Sequence, residues 1–248
     1  MQTMSAPLLI LKLGSTLPAL ADRLGDFEDW IAQALAPAGL PVSTLNAQRN
    51  PELPQPSALA GVILTGSNRM VTDREAWSER LRPWLRQLVA QEVPLLALCY
   101  GHQLLADAFD GEVQARPQGP EIGTVAIRRL PASDSDPLLH GLPRSFPAHT
   151  VHWQSVARIP PQATLLASSD ADPHQAYRIG ECAWGLQFHP EFSAEAMRFH
   201  LQHFRSALHD AGQDTDALLQ AVETTTEATG LLLRFAELCR KRLHDRSQ

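Results

Sequence analysis

With 248 residues and an apolar fraction of 44%, the chain can bury a core of its own and is long enough for one large domain or two small ones. Its net charge of −6 is spread along the chain, which argues against a nucleic-acid surface, and no apolar run approaches the length of a membrane span. Residues 1–5 lack the pattern of a signal peptide, and three scattered cysteines are too few for a disulfide framework. We therefore expect a cytoplasmic protein.

The first half of the chain alternates apolar runs with segments whose apolar residues recur at helical spacing. The runs predict strands at 8–13, 42–45 and 60–64, and the helical spacing predicts helices at 22–36 and 75–91. Pro83 indicates a kink or a second start in the later helix. This alternation is typical of a parallel sheet that helices cover on both faces.

The second half begins with β runs that proline- and aspartate-rich turns separate. Strands are predicted at 112–116, 123–130, 164–168, 174–179 and 182–188. Gly180 and Glu181 join the last two runs as a hairpin, so we expect an antiparallel annex on the same sheet.

Two helical segments complete the chain. The first begins at Ser193, a good N-cap residue, and runs to about Ala211. The second covers residues 215–243, with a bend expected near Gly230.

The apolar residues of this last segment need a partner surface. We favour packing on the rest of the chain, and the alternative is a subunit interface in a homodimer. The predicted organisation is one domain over residues 1–211, with residues 212–248 as a helical extension packed on it.

Residues 93–105 combine a short apolar run with the start of a helix and leave almost no room for a loop. Cys99 must then lie on a sharp turn between the small residues Ala97 and Gly101, which is the geometry of a nucleophile elbow. The helix dipole favours a thiolate at that position. The alternative is a core cysteine at a strand end.

A thiolate nucleophile usually needs a histidine that transfers protons and a third group that orients the histidine. His189 and Glu191 supply both, and they directly follow the apolar run at 183–188. Because catalytic groups gather at the carboxyl ends of parallel strands, His189 reaches Cys99 if the two strands are neighbours. Alternatively, His189 and Glu191 are only polar residues that follow the strand and cap the next helix.

A tetrahedral intermediate also needs N–H donors for its oxyanion. The backbone N–H of Tyr100, directly after the nucleophile, is one candidate. The turn at 65–67 offers the second, because Gly66 allows a close approach of backbone to substrate. Alternatively, Gly66 is an ordinary turn glycine.

Three segments together resemble the class I (triad-type) glutamine amidotransferases. They are residues 98–105, 111–113 and 185–192, and the resemblance extends over roughly residues 8–205. It is strongest to stand-alone members similar to the glutaminase domain of GMP synthase. The resemblance implies an α/β fold, a three-layer α/β/α sandwich with a flavodoxin-like, mostly parallel sheet and an antiparallel annex.

The family resemblance also implies a reaction, the hydrolysis of the glutamine side-chain amide through a γ-glutamyl thioester. By position, Cys99 is the nucleophile, His189 the general base and acid, and Glu191 the orienting carboxylate. Tyr100 and the loop of Gly66 then form the oxyanion hole.

The same resemblance implies the substrate contacts. Gln103 matches a glutamine that contacts substrate, and the segment 151–156, with His152 and Trp153, resembles one whose backbone holds the amino-acid end of glutamine. Gln154 stands where synthase-like members often carry aspartate, which weakens that contact.

Two other positions depart from the family pattern. Ala97 replaces a more usual glycine, and both residues are small. The turn at 65–67 lacks the double glycine followed by proline of many members, which leaves open whether Gly66 or Ser67 supplies the second oxyanion donor.

We expect no cofactor and no metal: to bind a metal, the histidine pairs 149/152 and 200/203 would each need a third convergent ligand and a second shell, and we favour structural or surface roles for them. The expected function is glutamine hydrolysis that supplies ammonia to an acceptor, on a separate synthetase partner. One alternative is a stand-alone hydrolase or transferase of another γ-glutamyl compound, such as a peptide or amine conjugate. The other is a non-catalytic regulatory module.

Overall fold

A computed structural model describes residues 6–246. The prediction that no signal peptide is present concerns residues 1–5, which lie outside the described residues. The strands are β1 (Leu8–Lys12), β2 (Val42–Asn46), β3 (Gly61–Leu64), β4 (Leu95–Leu98), β5 (Glu112–Ala115), β6 (Glu121–Arg129), β7 (Ser145–His152), β8 (Gln154–Arg158), β9 (Ala163–Ser168), β10 (Ala176–Ile179) and β11 (Ala183–Leu186). The helices are α1 (Pro18–Leu24), α2 (Phe27–Leu35), α3 (Ala76–Glu79), α4 (Leu81–Ala90), α5 (Tyr100–Ala108), α6 (Ala194–His203), α7 (Arg205–Asp210), α8 (Thr215–Gln220) and α9 (Thr226–Arg246).

One nine-stranded sheet, in the order β2-β1-β3-β4-β11-β10-β9-β6-β7, forms the centre of the fold. Strands β2, β1, β3, β4 and β11 lie parallel, and from β11 outward each pair is antiparallel. This confirms the parallel sheet with an antiparallel annex. The hairpin of β10 and β11 is also confirmed, whereas β5 belongs to a separate two-stranded sheet with β8.

Alternate residues of β1 point to opposite faces of the sheet, as the two-residue period of a strand requires. Leu8 and Ile10 pack in one apolar cluster with residues of α2 and α9. Leu9 and Leu11 pack in another with residues of α4 and α5. Helices therefore cover both faces, which is the predicted three-layer arrangement.

The prediction of one helix over 22–36 is wrong, because two helices occupy this range. Gly25 has a φ of 84°, which ends α1, and Asp26 begins α2 as its N-cap. The Asp26 carboxylate accepts a hydrogen bond from the N–H of Phe27, and the Asp29 side chain accepts one from the N–H of Asp26.

Strand β7 was not predicted, since Pro147 interrupts its β pattern. Because β7 is the last strand of the sheet, it tolerates a residue that cannot donate a ladder hydrogen bond.

The two C-terminal helical segments break at other positions than expected. The first breaks at Phe204, between α6 and α7, and the ring of Phe204 packs against Trp153 with centroids 4.6 Å apart. The second breaks over 221–225, where Arg198 donates a hydrogen bond to the Val222 carbonyl at 2.9 Å, and Gly230 lies inside α9. Within the single chain, α9 contacts α2 and β7. The domain boundary at residue 211 stays a prediction.

Among the helices of residues 6–246, none combines the length and apolar character that a membrane crossing requires.

Candidate active site

Cys99 occupies a strained turn between β4 and α5. Its backbone angles are φ 49° and ψ −100°, a region that non-glycine residues rarely adopt, and strain of this kind concentrates at functional sites. Its N–H donates to the carbonyl of Leu186 in β11 at 2.8 Å. Gly101 allows α5 to approach β3 closely, because a Cβ atom there would lie 2.7 Å from the Cβ of Leu64. The turn therefore has the elbow geometry that the small neighbours predict.

His189 lies at the same edge of the sheet as Cys99, because β4 and β11 are parallel neighbours with Leu98 opposite Leu186. The backbone N–H of His189 donates to the carbonyl of His149 at 2.8 Å, which fixes it against β7. The predicted contact between His189 and Cys99 required their two strands to be neighbours, and the structure meets this condition.

Glu191 turns back to His189, two residues earlier. The distance between His189 Nδ1 and Glu191 Oε1 is 2.7 Å, and both side chains are buried. The Cys99 side chain lies close enough to the same imidazole to raise its pKa, and its Sγ also contacts the Val151 carbonyl oxygen at 3.7 Å. The three side chains therefore form one connected chain of contacts from carboxylate to imidazole to thiol.

The charges in this constellation favour a protonated imidazole. Burial alone lowers the pKa of His189, but the charges of Glu191 and Cys99 outweigh it and raise the pKa well above its usual range. Burial lowers the pKa of the neighbouring His149 and His200 to about 4, so neither adds positive charge at neutral pH. The site thus favours a positively charged imidazole beside the Cys99 sulfur.

Two phenylalanines hold the imidazole ring in place. Phe192 stacks on His189 with ring centroids 4.1 Å apart, and Phe27 stacks at 6.0 Å. Phe27 is the first residue of α2, far from the motif in sequence, and no pattern in the chain indicated its role.

The thiol opens into a pocket of about 330 Å³. Its lining includes predicted and unpredicted residues: Leu17, Ser67, Asn68, Arg69, Met70, Cys99, Tyr100, Gln103, Val151, His152, Trp153, Gln154 and Phe204. Phe204 was missed because only the break between α6 and α7 brings its ring to Trp153.

The predicted contact residues Gln103 and His152 line this pocket, but their polar atoms mainly bind the protein itself. Gln103 Nε2 donates to the Gln154 carbonyl at 2.8 Å and to Gln187 Oε1 at 2.9 Å. The His152 ring lies 2.8 Å from the Gln154 carbonyl and 2.7 Å from Glu121 Oε2. Both side chains therefore hold the segment that forms one wall of the pocket.

Of the two candidates for the second oxyanion donor, Ser67 lines the pocket and Gly66 does not. Gly66 lies against the histidine instead, since a Cβ atom there would be 3.0 Å from His189 Cε1. Ser67 packs on Gly14, where a Cβ atom would come within 2.6 Å of the Ser67 Cβ.

One group of potential metal ligands lies behind the pocket wall among residues 6–246, formed by Glu121, His152 and Asp172. These side chains already have protein partners: Glu121 accepts from Ser169 Oγ at 2.9 Å, and Asp172 from Ser155 Oγ at 2.6 Å. Arg116 Nη1 also lies 3.4 Å from Asp172 Oδ2. An arginine beside the carboxylate fits a hydrogen-bonded network better than a cation site.

The comparisons with known proteins point to a single family. The chain is 34% identical over 186 residues to a glutamine-hydrolyzing GMP synthase of a Parafrankia species, covering 75% of this chain and 31% of that protein. It is 40% identical over 100 residues to a glutamine-hydrolyzing GMP synthase subunit of Pyrococcus furiosus, covering 40% of this chain and 51% of that one. This chain therefore spans about a third to a half of these relatives.

Solved structures share the fold. A glutamine amidotransferase of Thermotoga maritima superposes with a TM-score of 0.72 at 21% identity, over 96% of this chain and 98% of that one. A glutamine amidotransferase from Methylobacillus flagellatus superposes with a TM-score of 0.70 at 24% identity, over 97% of this chain and 94% of that one. Residues 19–205 match the family model described as glutamine amidotransferase class-I. That match covers more than half of the sequence, and the chain thus belongs to the class-I glutamine amidotransferases.

Proposed function

We propose that this protein hydrolyses the side-chain amide of glutamine through a γ-glutamyl thioester on Cys99. The observation that carries the proposal is the chain of contacts from Glu191 through His189 to Cys99 beside a pocket. A thiolate paired with an imidazolium is the activated nucleophile that such a reaction needs.

The proposed reaction has two half-reactions. In the first, the sulfur attacks the amide carbon and the His189 imidazolium gives its proton to the leaving nitrogen, so that ammonia departs and the thioester remains. In the second, water attacks the thioester while the now neutral imidazole takes a proton from it. The C–S bond breaks, which releases glutamate and restores the thiolate. Glu191 keeps the imidazole oriented through both steps.

The backbone N–H groups of Tyr100 and Ser67 are the proposed oxyanion donors, because both residues line the pocket beside Cys99. We expect Ser67→Pro, which removes the N–H, to lower kcat about 10²-fold, the usual cost of losing one such donor. Ser67→Ala keeps the N–H and should stay within about twofold of the parent protein. A Ser67→Pro enzyme with the parent kcat would assign the donor to Gly66.

We further propose that the ammonia passes to an acceptor on a separate synthetase protein. The support is the similarity to proteins that are named as one subunit of a GMP synthase, since such a name implies a second one. The alternative substrate, a γ-glutamyl amine conjugate, is favoured by one observation: Leu17, Trp153 and Phe204 provide apolar walls that the carbon chain of an amine could cover.

A substrate panel tests the proposal. Glutamate release is measured from glutamine, γ-glutamyl peptides and γ-glutamyl alkylamides, with the thiolate trapped by a glutamine-analogue affinity reagent. The proposal expects the highest kcat/KM for glutamine and labelling at Cys99. A clear preference for a conjugate would replace glutamine with that substrate. If the protein shows neither glutamate release nor labelling, the non-catalytic regulatory alternative remains.

A further inference from the structure

A second cavity shares Glu191 with the triad but none of the residues that line the thiol pocket. Its volume is about 490 Å³. Residues from three parts of the chain line it: Leu24, Trp30, Gln33, Ala34, Glu191, Phe192, Ser193, Ala194, Thr224, Thr225 and Thr229. Gln33, Thr224 and Thr229 are exposed and form its rim, whereas Glu191 and Thr225 are buried.

Two residues that line this cavity each have a buried side-chain oxygen without a hydrogen-bond partner among the described residues. Glu191 Oε1 contacts the imidazole of His189, but Glu191 Oε2 is unpaired although the side chain is fully buried. Thr225 Oγ1 is also buried and unpaired. Leaving a buried carboxylate oxygen without a donor is costly, and native structures rarely do so without a reason.

The chemistry of the lining favours a cation with N–H groups. Glu191 supplies a negative charge, and none of the described residues that line the cavity is a lysine, arginine or histidine. The threonine hydroxyls and the Gln33 amide offer further acceptors, and the Trp30 ring offers a face for a cation–π contact. The indole N–H of Trp30 already donates to the Leu24 carbonyl at 2.8 Å, so the ring is held in position.

We propose that this cavity binds an ammonium ion or a small primary amine, which donates to Glu191 Oε2 and Thr225 Oγ1 and thereby inhibits the triad. The bound cation shares the Glu191 charge with the imidazole and weakens the pair that orients His189. The inhibition rests on the proposed glutaminase function, whose product is ammonia. The binding of the cation does not depend on that function.

Binding is tested on the full chain with ammonium, methylammonium and 2-hydroxyethylammonium chlorides, which separate the free product from organic amines. Tetramethylammonium, a cation without N–H groups, and sodium chloride at equal ionic strength are the controls. The N–H cations should raise Tm, because they bind only the folded state. They should also lower kcat, measured as glutamate release, without raising KM. Equal effects of tetramethylammonium, or competition with glutamine, would overturn the proposal.

Thr225→Val removes one acceptor at nearly constant volume, and Ala34→Leu fills the cavity from α2. Thr225→Val should weaken the Tm response about tenfold in concentration, the effect of losing one hydrogen bond, and Ala34→Leu should weaken it at least as much because it occupies the space of the ligand. Thr44→Val, on the exposed face of β2, is the matched control and should change nothing. An unchanged ammonium response in both cavity variants would refute the site, and the Tm assay gives this answer even if glutamine is not the substrate.

Discussion

Cys99→Ala is expected to lower kcat for glutamine hydrolysis by about 10⁴-fold or more, because loss of the nucleophile removes the thioester route entirely. The residual rate would come from the oxyanion donors and the bound geometry alone. Glutamate release measures the loss, and mass spectrometry of the acid-quenched enzyme measures the thioester. The parent protein should gain one glutamyl mass, and Cys99→Ala should gain none.

The matched control is Cys182→Ala, which removes another buried thiol outside the thiol pocket. It should keep its kcat within about twofold and gain the same glutamyl mass as the parent. Full activity in Cys99→Ala, or the loss of activity in both variants, would contradict the assignment of the nucleophile.

The backbone at Cys99 adds a stability readout to the same experiment. With φ at 49°, the turn strains any residue that has a Cβ atom. Cys99→Ala keeps that strain, whereas Cys99→Gly relieves it, so the glycine variant should be more stable than the alanine variant by about 1 kcal/mol. Urea titration measures the difference. The opposite order would mean that the turn is relaxed.

His189→Ala should cost nearly as much as Cys99→Ala, because residues that act as a unit lose their effect together. Glu191→Gln should be milder by about 10- to 100-fold, since an amide oxygen can still accept from Nδ1 over the same distance. The kcat values of the three variants, measured at saturating glutamine, give the ranking. Equal losses for Glu191→Gln and His189→Ala would show that the carboxylate does more than orient.

The Glu191 variant also changes the dependence of stability on pH. The charges of Glu191 and Cys99 raise the pKa of His189 in the folded state. The charged imidazole therefore stabilises the fold fully below its ordinary pKa and loses this contribution as pH rises through the raised pKa. In Glu191→Gln the loss should occur at lower pH. The free energy of unfolding, measured between neutral and alkaline pH in both proteins, checks the direction.

The sequence by itself determined the parts of this protein that depend on local pattern. The apolar run ending at Cys99 and the run before His189 identified two strand ends, but the sequence left open whether these strands are neighbours, and only the structure shows β4 and β11 paired in parallel. The small residues around Cys99 predicted the turn, because only a tight turn separates so short a strand from the helix. The spacing of His189 and Glu191 likewise placed a carboxylate within reach of the imidazole.

Only the tertiary structure decided the features that depend on contacts between distant segments. It brings Ser67 rather than Gly66 into the thiol pocket, and it positions Phe204 against Trp153 by breaking a helix that the pattern continues. It also closes a cavity around Glu191 with the link between α8 and α9, around Thr225. Hydrophobic periodicity records which side of an element is buried, but it carries no information about which partner covers that side.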